Sequence, residues 1–500
     1  MMKNDNNFIS RLIKPLFWWA ASALWIGMIV VMFVGMRDVS GGRLMAPEEL
    51  LAGVHLEYES SWMGIYLSGQ KIGFVHTEIE PIAKGGYEIR EFSRLQGAMM
   101  GQMQHMRMSM TVITDSTLAL VSFEGRLEAD PYITEFAGRI EDNVLAIELI
   151  AGGRRSDKFM PAPEPIYLSQ AIKPLLQAGR LDAADSLKLA GFDPMSLEMQ
   201  ELTVIGAEMT YHSLWNEDVL ARKLTTRLSG FESTVYVDEN GNTLAEFGPL
   251  GMMMRREEME IALSIDDQIN TVDFLAIYSI KPEGSLRAPR KDLRTRFKVS
   301  GIDLLSVVAS SDRQRLLDSE SGIIEVLKQS EISENTNQFS LTEFIRDAPY
   351  IESRDKDIKA AAVGAVSGAF TLSDSLDQLT SWVFRAVKKR PAAGLPSAIA
   401  VLKKLEGDCN EHTVLFTAMA RSIGIPTRMQ LGVVYQAGRF FYHAWPASWI
   451  DGSWREIDPT FGQFKADAAR ISLTSGDLTD SVDLIGSMGK IEIQILDEEY

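Results

Sequence analysis

The sequence predicts an α+β chain in three parts: an N-terminal transmembrane helix, a β-rich region, and a C-terminal domain in which helices precede strands. Three observations carry this. Residues 16–36 form 21 consecutive positions without a charge. Between about residues 55 and 265, strand-like runs are punctuated by Gly and Asn turn signals. From about Leu341 the apolar spacing becomes helical, with caps and stops, until strands return near Thr427.

The uncharged run comes first. As a helix, residues 16–36 extend about 31 Å, enough for a hydrocarbon core of roughly 30 Å. Lys3, Arg11 and Lys14 precede it, which keeps the N-terminus in the cytoplasm. Phe17, Trp18 and Trp19 suit the interface. A cleaved signal peptide is the alternative, but the run is long for one and no A-x-A site follows. The expectation is a single-pass inner-membrane protein with the bulk of the chain periplasmic. The predicted division is a tail (1–15), the span (16–36), a linker (37–54), a β-rich accessory domain (55–265), a mixed connecting region (266–340), a catalytic domain (341–475) and a C-terminal strand or tail (476–500).

Within the β-rich region, Ser68-Gly69 and Asn240-Gly241 mark hairpin turns. Residues 168–190 look more helical. The Met-rich stretches 99–110 and 252–254 suit core filling better than a binding surface. Past Leu341, Ser373 caps a helix that ends at Lys388-Lys389-Arg390-Pro391. Ser397 caps another, ended by Gly407. Asp408 caps a third and forms a capping box with Glu411; Val414, Leu415, Ala418 and Met419 make its buried stripe, and Gly424-Ile425-Pro426 stops it.

Composition narrows the function. The net charge of −18 (50 basic, 68 acidic residues) argues against a nucleic-acid partner, which would need a basic face. Cys409 is the sole cysteine, so no intramolecular disulfide forms and its thiol is free to react. It sits at the first position of the third helix, where the macrodipole should lower its pKa. His443 and Asp458 follow, 34 and 15 residues further on in turn. The Asp451-Gly452 turn, if tight, pairs Ile450 with Ser453, sets Trp449 against Trp454 and makes His443 and Asp458 diagonal neighbours on one face. Pro446 threatens that register because it cannot donate to the ladder.

Cys409, His443 and Asp458 are therefore the expected catalytic residues: nucleophile, base and orienting carboxylate of an acyl-transfer site. His412, one helical turn beyond Cys409, is a rival base without a carboxylate that spacing can identify. Cys409, His412, His443 and Asp458 are also four conceivable zinc ligands, though one thiolate outside the cytoplasm makes an unusual zinc site. No cofactor and no metal are expected.

Around Gly407-Asp408-Cys409, the helix text Ala418 to Arg428, His443-Ala444-Trp445, Trp454 and Asp458-Pro459-Thr460, the chain resembles the transglutaminase-like superfamily, over about residues 345–475. The resemblance implies a papain-like fold and the same three roles; Pro446 departs from its usual apolar strand residue. The expected function is a membrane-anchored periplasmic thiol enzyme acting on amide bonds of peptides or proteins of the cell envelope, by hydrolysis or acyl transfer. The alternative is a non-catalytic peptide- or protein-binding module.

Overall fold

The computed structural model describes residues 44–499 apart from short internal stretches, the longest being 266–272, 333–339 and 478–487. Among the described residues 53% lie in strands and 19% in helices. This corrects the expected α+β class: the protein is mostly β. The reason is the length and number of the strands, which reach 17 residues, against helices of no more than 15.

The expected inner-membrane span is also withdrawn. Among the described residues no helix is long and apolar enough to cross a membrane. Residues 16–36, on which that expectation and the periplasmic placement rested, lie outside the described residues.

Sixteen strands between Leu44 and Glu257 form one sheet. Two antiparallel runs make most of it, Glu59–Leu67 through Arg154–Pro161 and Ser186–Asp193 through Met252–Glu257. They join where Met252 pairs with Leu67. The local cause is alternation. Val144–Ala151 (VLAIELIA) buries every second residue, which is what one face against a core requires. Several hairpins close with two residues at positive φ, a backbone twist that matches the strands: Ser68-Gly69, Asp142-Asn143, Gly152-Gly153 and Trp215-Asn216. Among its described residues, the segment expected to be helical holds a short 3-10 turn, Ser169–Ala171, and a short helix, Ile172–Gln177, and is strand again at Ser186.

Two further four-stranded sheets follow. We label the hairpin strands Leu120–Ala129 and Tyr132–Glu141 β1 and β2, then Arg294–Ser300 β3, Gln314–Asp318 β4 and Ile323–Val326 β5. Lys388–Lys389 is β6, Glu406–Gly407 β7, Thr427–Gln436 β8, Arg439–Ile450 β9, Ser453–Glu456 β10, Arg470–Gly476 β11 and Glu492–Glu499 β12. The helices are α1 (Lys356–Ala365), α2 (Leu372–Ala386), α3 (Ala398–Lys404) and α4 (Cys409–Ser422). One sheet has the order β4-β5-β3-β12, so residues 294–326 share a ladder with the C-terminal strand. The other is β10-β9-β8-β11.

Helix α4 is the centre of this part. Every residue from Glu411 to Arg421 is buried, more than the expected stripe of Val414, Leu415, Ala418 and Met419. It packs on β8 and β9 on one side and on α1, α2 and α3 on the other. A helix enclosed on all sides has a fixed position. Arg313 ties the preceding segment in: its buried guanidinium donates to Leu327 O at 3.0 and 2.8 Å and to Ala466 O at 2.7 Å.

The large sheet touches this part directly. Lys404 Nζ donates to Pro131 O at 2.7 Å, in the turn between β1 and β2, and Arg154 pairs with Asp355 at 2.9 Å. The apolar core is continuous from Ile89 and Phe123 in the large sheet to Val414 and Phe416 in α4.

Candidate active site

The start of α4 is built by its caps. Asp408 accepts from Asn410 N at 3.0 Å, and Glu411 Oε2 accepts from Asp408 N at 2.7 Å, the capping box expected from sequence. Gly407 permits this, since a Cβ there would meet Glu411 Cγ at 2.1 Å. Cys409 is thereby the first residue of the helix.

The first turn of α4 grips strand β9 on both sides of His443. Tyr442 Oη donates to Asn410 Oδ1 at 3.1 Å, and Thr413 Oγ1 donates to Ala444 O at 3.0 Å. The Ala444 N–H faces the Cys409 sulphur and favours its thiolate. Cys409 and Ala444, the residue after His443, are thus in contact.

Strand β9 runs unbroken through Pro446, which pairs with Met429 and accepts from Ile457 N at 2.9 Å. The register is the one the Asp451-Gly452 turn implies, with Trp449 opposite Trp454 and Ile450 opposite Ser453. The two indoles meet edge to face at 5.4 Å. Beyond Glu456 the ladder gives way, and Asp458 pairs instead with Gln463.

His443 Nε2 and Asp458 Oδ2 are 2.8 Å apart. With Nε2–H donating to the carboxylate, the neutral ring carries its lone pair on Nδ1, the form able to accept a proton. The imidazole lies between Trp445, nearly parallel at 5.8 Å, and Phe461 at 5.3 Å.

Both oxygens of Asp458 are satisfied. Oδ1 accepts from Phe461 N at 3.1 Å, and Oδ2 also accepts from Arg470 Nε at 3.1 Å and from its Nη2. Arg470 is buried and is itself held by Asp467 and by Gln463 Oε1 at 2.6 Å. Burial opposes ionisation of Asp458, but His443 and Arg470 more than overcome it and hold the carboxyl well below the usual range. The sequence reading missed Arg470. Its one signal was a lone cation in the apolar run Ala468-Ala469-Arg470-Ile471, which burial obliges to find a counter-charge.

Cys409 departs from expectation. Burial first, then the carboxylate of Asp408, push its thiol well above the ordinary value, despite the N–H of Ala444. The residue is half-buried at the surface, but the sulphur is closely surrounded. The thiol is therefore neutral at rest, and the helix terminus does not make a free thiolate. Glu411 behaves similarly: burial and Asp408 raise its carboxyl well above the ordinary range. Tyr132 of β2 sits against it, its phenol raised by burial and by Glu411.

His412 is buried and donates from Nδ1 to Asp408 O at 2.6 Å; among the described residues its Nε2 has no partner. Burial lowers its pKa. The zinc arrangement does not form: among the described residues no group of three or more His, Cys, Asp and Glu side chains could hold a metal ion.

Residues 359–459 match the transglutaminase-like superfamily. That transglutaminase-like segment contains Cys409, His443 and Asp458, and it runs from α1 to the loop after β10. Among solved structures, the chain is similar to a candidate cysteine protease from Cytophaga hutchinsonii, at 15% identity, covering 41% of this chain and 81% of that one with a TM-score of 0.29. It is also similar to a β-barrel-like protein of a domain of unknown function from Brucella abortus, at 14% identity, covering 41% and 96%, with a TM-score of 0.31. No curated protein matches.

Proposed function

We propose that this protein is a thiol enzyme acting on amide bonds of peptides or proteins through a thioester on Cys409. The observation that carries this is the placement of Cys409 against Ala444 while the adjacent His443 is held by Asp458.

The chemistry follows from the protonation states. Because the thiol is neutral at rest, His443 Nδ1 takes its proton as the sulphur attacks the carbonyl carbon. An S–C bond forms and the carbonyl electrons move to oxygen. The Cys409 N–H at the helix end is the oxyanion donor in this reading. The intermediate then expels the amine, which receives the proton from His443, leaving a thioester. Water or a second amine resolves it. Asp458 stabilises the imidazolium without taking its proton, and Arg470 keeps that carboxylate ionised.

A second reading, a peptide-binding module without turnover, draws on the neutral, crowded thiol. Treatment with an activated ester such as p-nitrophenyl acetate separates the two. Enzymatic acylation adds one acetyl group to Cys409, seen in the intact mass, and the group is lost on standing. A protein that never gains the acetyl group is the binding module.

A further inference from the structure

We propose that Lys389 selects the substrate by charge, favouring a peptide that carries a carboxylate side chain next to the reacting amide. This rests on the thiol-enzyme reading above.

Lys389 is placed at the site by its backbone. In β6 it pairs in parallel with Gly407 of β7, two residues before Cys409. Lys388 N donates to Leu405 O at 2.8 Å and Arg390 N to Gly407 O at 2.9 Å, so the register is fixed on both sides. The side chain reaches across to the acid loop. Its ammonium lies 5.1 Å from the centre of the Phe384 ring and 5.8 Å from that of Phe461. Phe461 is the ring that packs on His443 at 5.3 Å. The ammonium is thus one aromatic ring away from the base. Gly462 makes room for this arrangement, since a Cβ there would come within 3.0 Å of Phe384.

The chemistry of the group points to a ligand. Among the described residues Lys389 pairs with no carboxylate, whereas its neighbour Arg390 is held by Glu406 at 3.1 Å. Ring faces position a cation but do not use its hydrogen-bond donors. Lys389 is exposed and Phe384 is 40% exposed, so those donors are open to an incoming group. In a chain of net charge −18, an anionic substrate is repelled by most of the surface, so a cation without a carboxylate partner, one ring away from His443, favours its approach.

The test uses two probes that differ only in charge, the α-amides of N-chloroacetyl-glutamic acid and N-chloroacetyl-glutamine. Each alkylates Cys409 with loss of chloride, and the single cysteine makes intact mass an unambiguous readout. The measured quantity is the ratio of the two rates within each full-length variant, which does not depend on the absolute rate. The wild type should label roughly threefold faster with the acid, in line with an exposed charge pair, and the preference should shrink with salt. Lys389→Met should bring the ratio to one or below, Lys389→Glu should lower it further, and Lys389→Arg should retain the preference. A wild-type ratio of one, or a ratio that survives in Lys389→Met, overturns the proposal while leaving the thiol enzyme intact. If neither probe labels Cys409, the proposal and the thiol-enzyme reading fall together.

Discussion

Replacing Arg470 with methionine leaves a buried carboxylate short of its cation. Arg470 and Asp458 are 1% and 0% exposed at their side chains and share two hydrogen bonds. Methionine fills similar space but donates nothing, so Asp458 retains only Phe461 N–H and His443. Removing one partner from a buried ion pair costs about 3–5 kcal/mol, because the remaining charge stays buried. For a chain of this size that corresponds to a fall in Tm of roughly 3–5 °C. The pH dependence has a definite sign. A carboxyl held below its unfolded pKa of about 3.9 stabilises the native state above that value, and the contribution is lost as pH falls through the folded pKa. Asp458 is held well below that range in the wild type. Acid unfolding of Arg470→Met should therefore begin at higher pH than in the wild type. The assay is thermal unfolding at pH 7 together with acid titration followed by tryptophan fluorescence. Asp458→Asn combined with Arg470→Met should be little worse than Arg470→Met alone, since it removes the stranded charge. A loss under about 1 kcal/mol at pH 7 with an unchanged acid midpoint would refute the reasoning.

Two further outcomes follow from the site and its supports. Glu411 is protonated in the native state over a range where it ionises on unfolding, so its contribution makes stability fall as pH rises from about 4.3 toward its folded pKa. Glu411→Gln, which keeps the acceptor for Asp408 N, should flatten that slope above about pH 4.3; a steeper slope would count against a neutral Glu411. A fragment beginning at Leu341 lacks β3, the ladder partner of β12, and lacks Arg313. It should melt well below a fragment beginning at Ser279, and equal melting temperatures would show that residues 279–340 are dispensable.

The legible parts of the site were those set by short-range rules. The Asp451-Gly452 turn yields the β9–β10 register, because a two-residue turn leaves one pairing. The Asp408–Glu411 capping box starts α4 at Cys409, and Ser397 caps α3. Other features needed the tertiary fold. The cap of α2 is Thr371 rather than Ser373, since both can accept and the entry angle decides. The His443–Asp458 contact forms, but not by extension of the ladder: Asp458 has left it, and Arg470 from β11 helps hold the carboxylate. Of the intervening 11 residues only Ala468 and Ala469 mark Arg470 as buried, and none names its partner. The thiol pKa could not be read from the helix end alone, because burial and Asp408 outweigh the dipole. The individual strands of the large sheet are not all marked in the sequence, because turns such as Trp215-Asn216 lack glycine and exposed strand faces carry charged residues.

The central claim is that His443, and not His412, removes the proton from Cys409. The structure gives His443 a carboxylate at 2.8 Å and ties His412 Nδ1 to the Asp408 carbonyl. The direct measurement is the rate of Cys409 alkylation by iodoacetamide from pH 5 to 10 in the wild type and in the His443→Ala and His412→Ala variants. Without a base, a thiol raised by burial should react only at high pH. His443→Ala should therefore slow alkylation at pH 7 by roughly a hundredfold or more and leave only an alkaline limb. His412→Ala should keep the wild-type profile. An unchanged profile in His443→Ala, or the loss appearing in His412→Ala instead, would contradict the account.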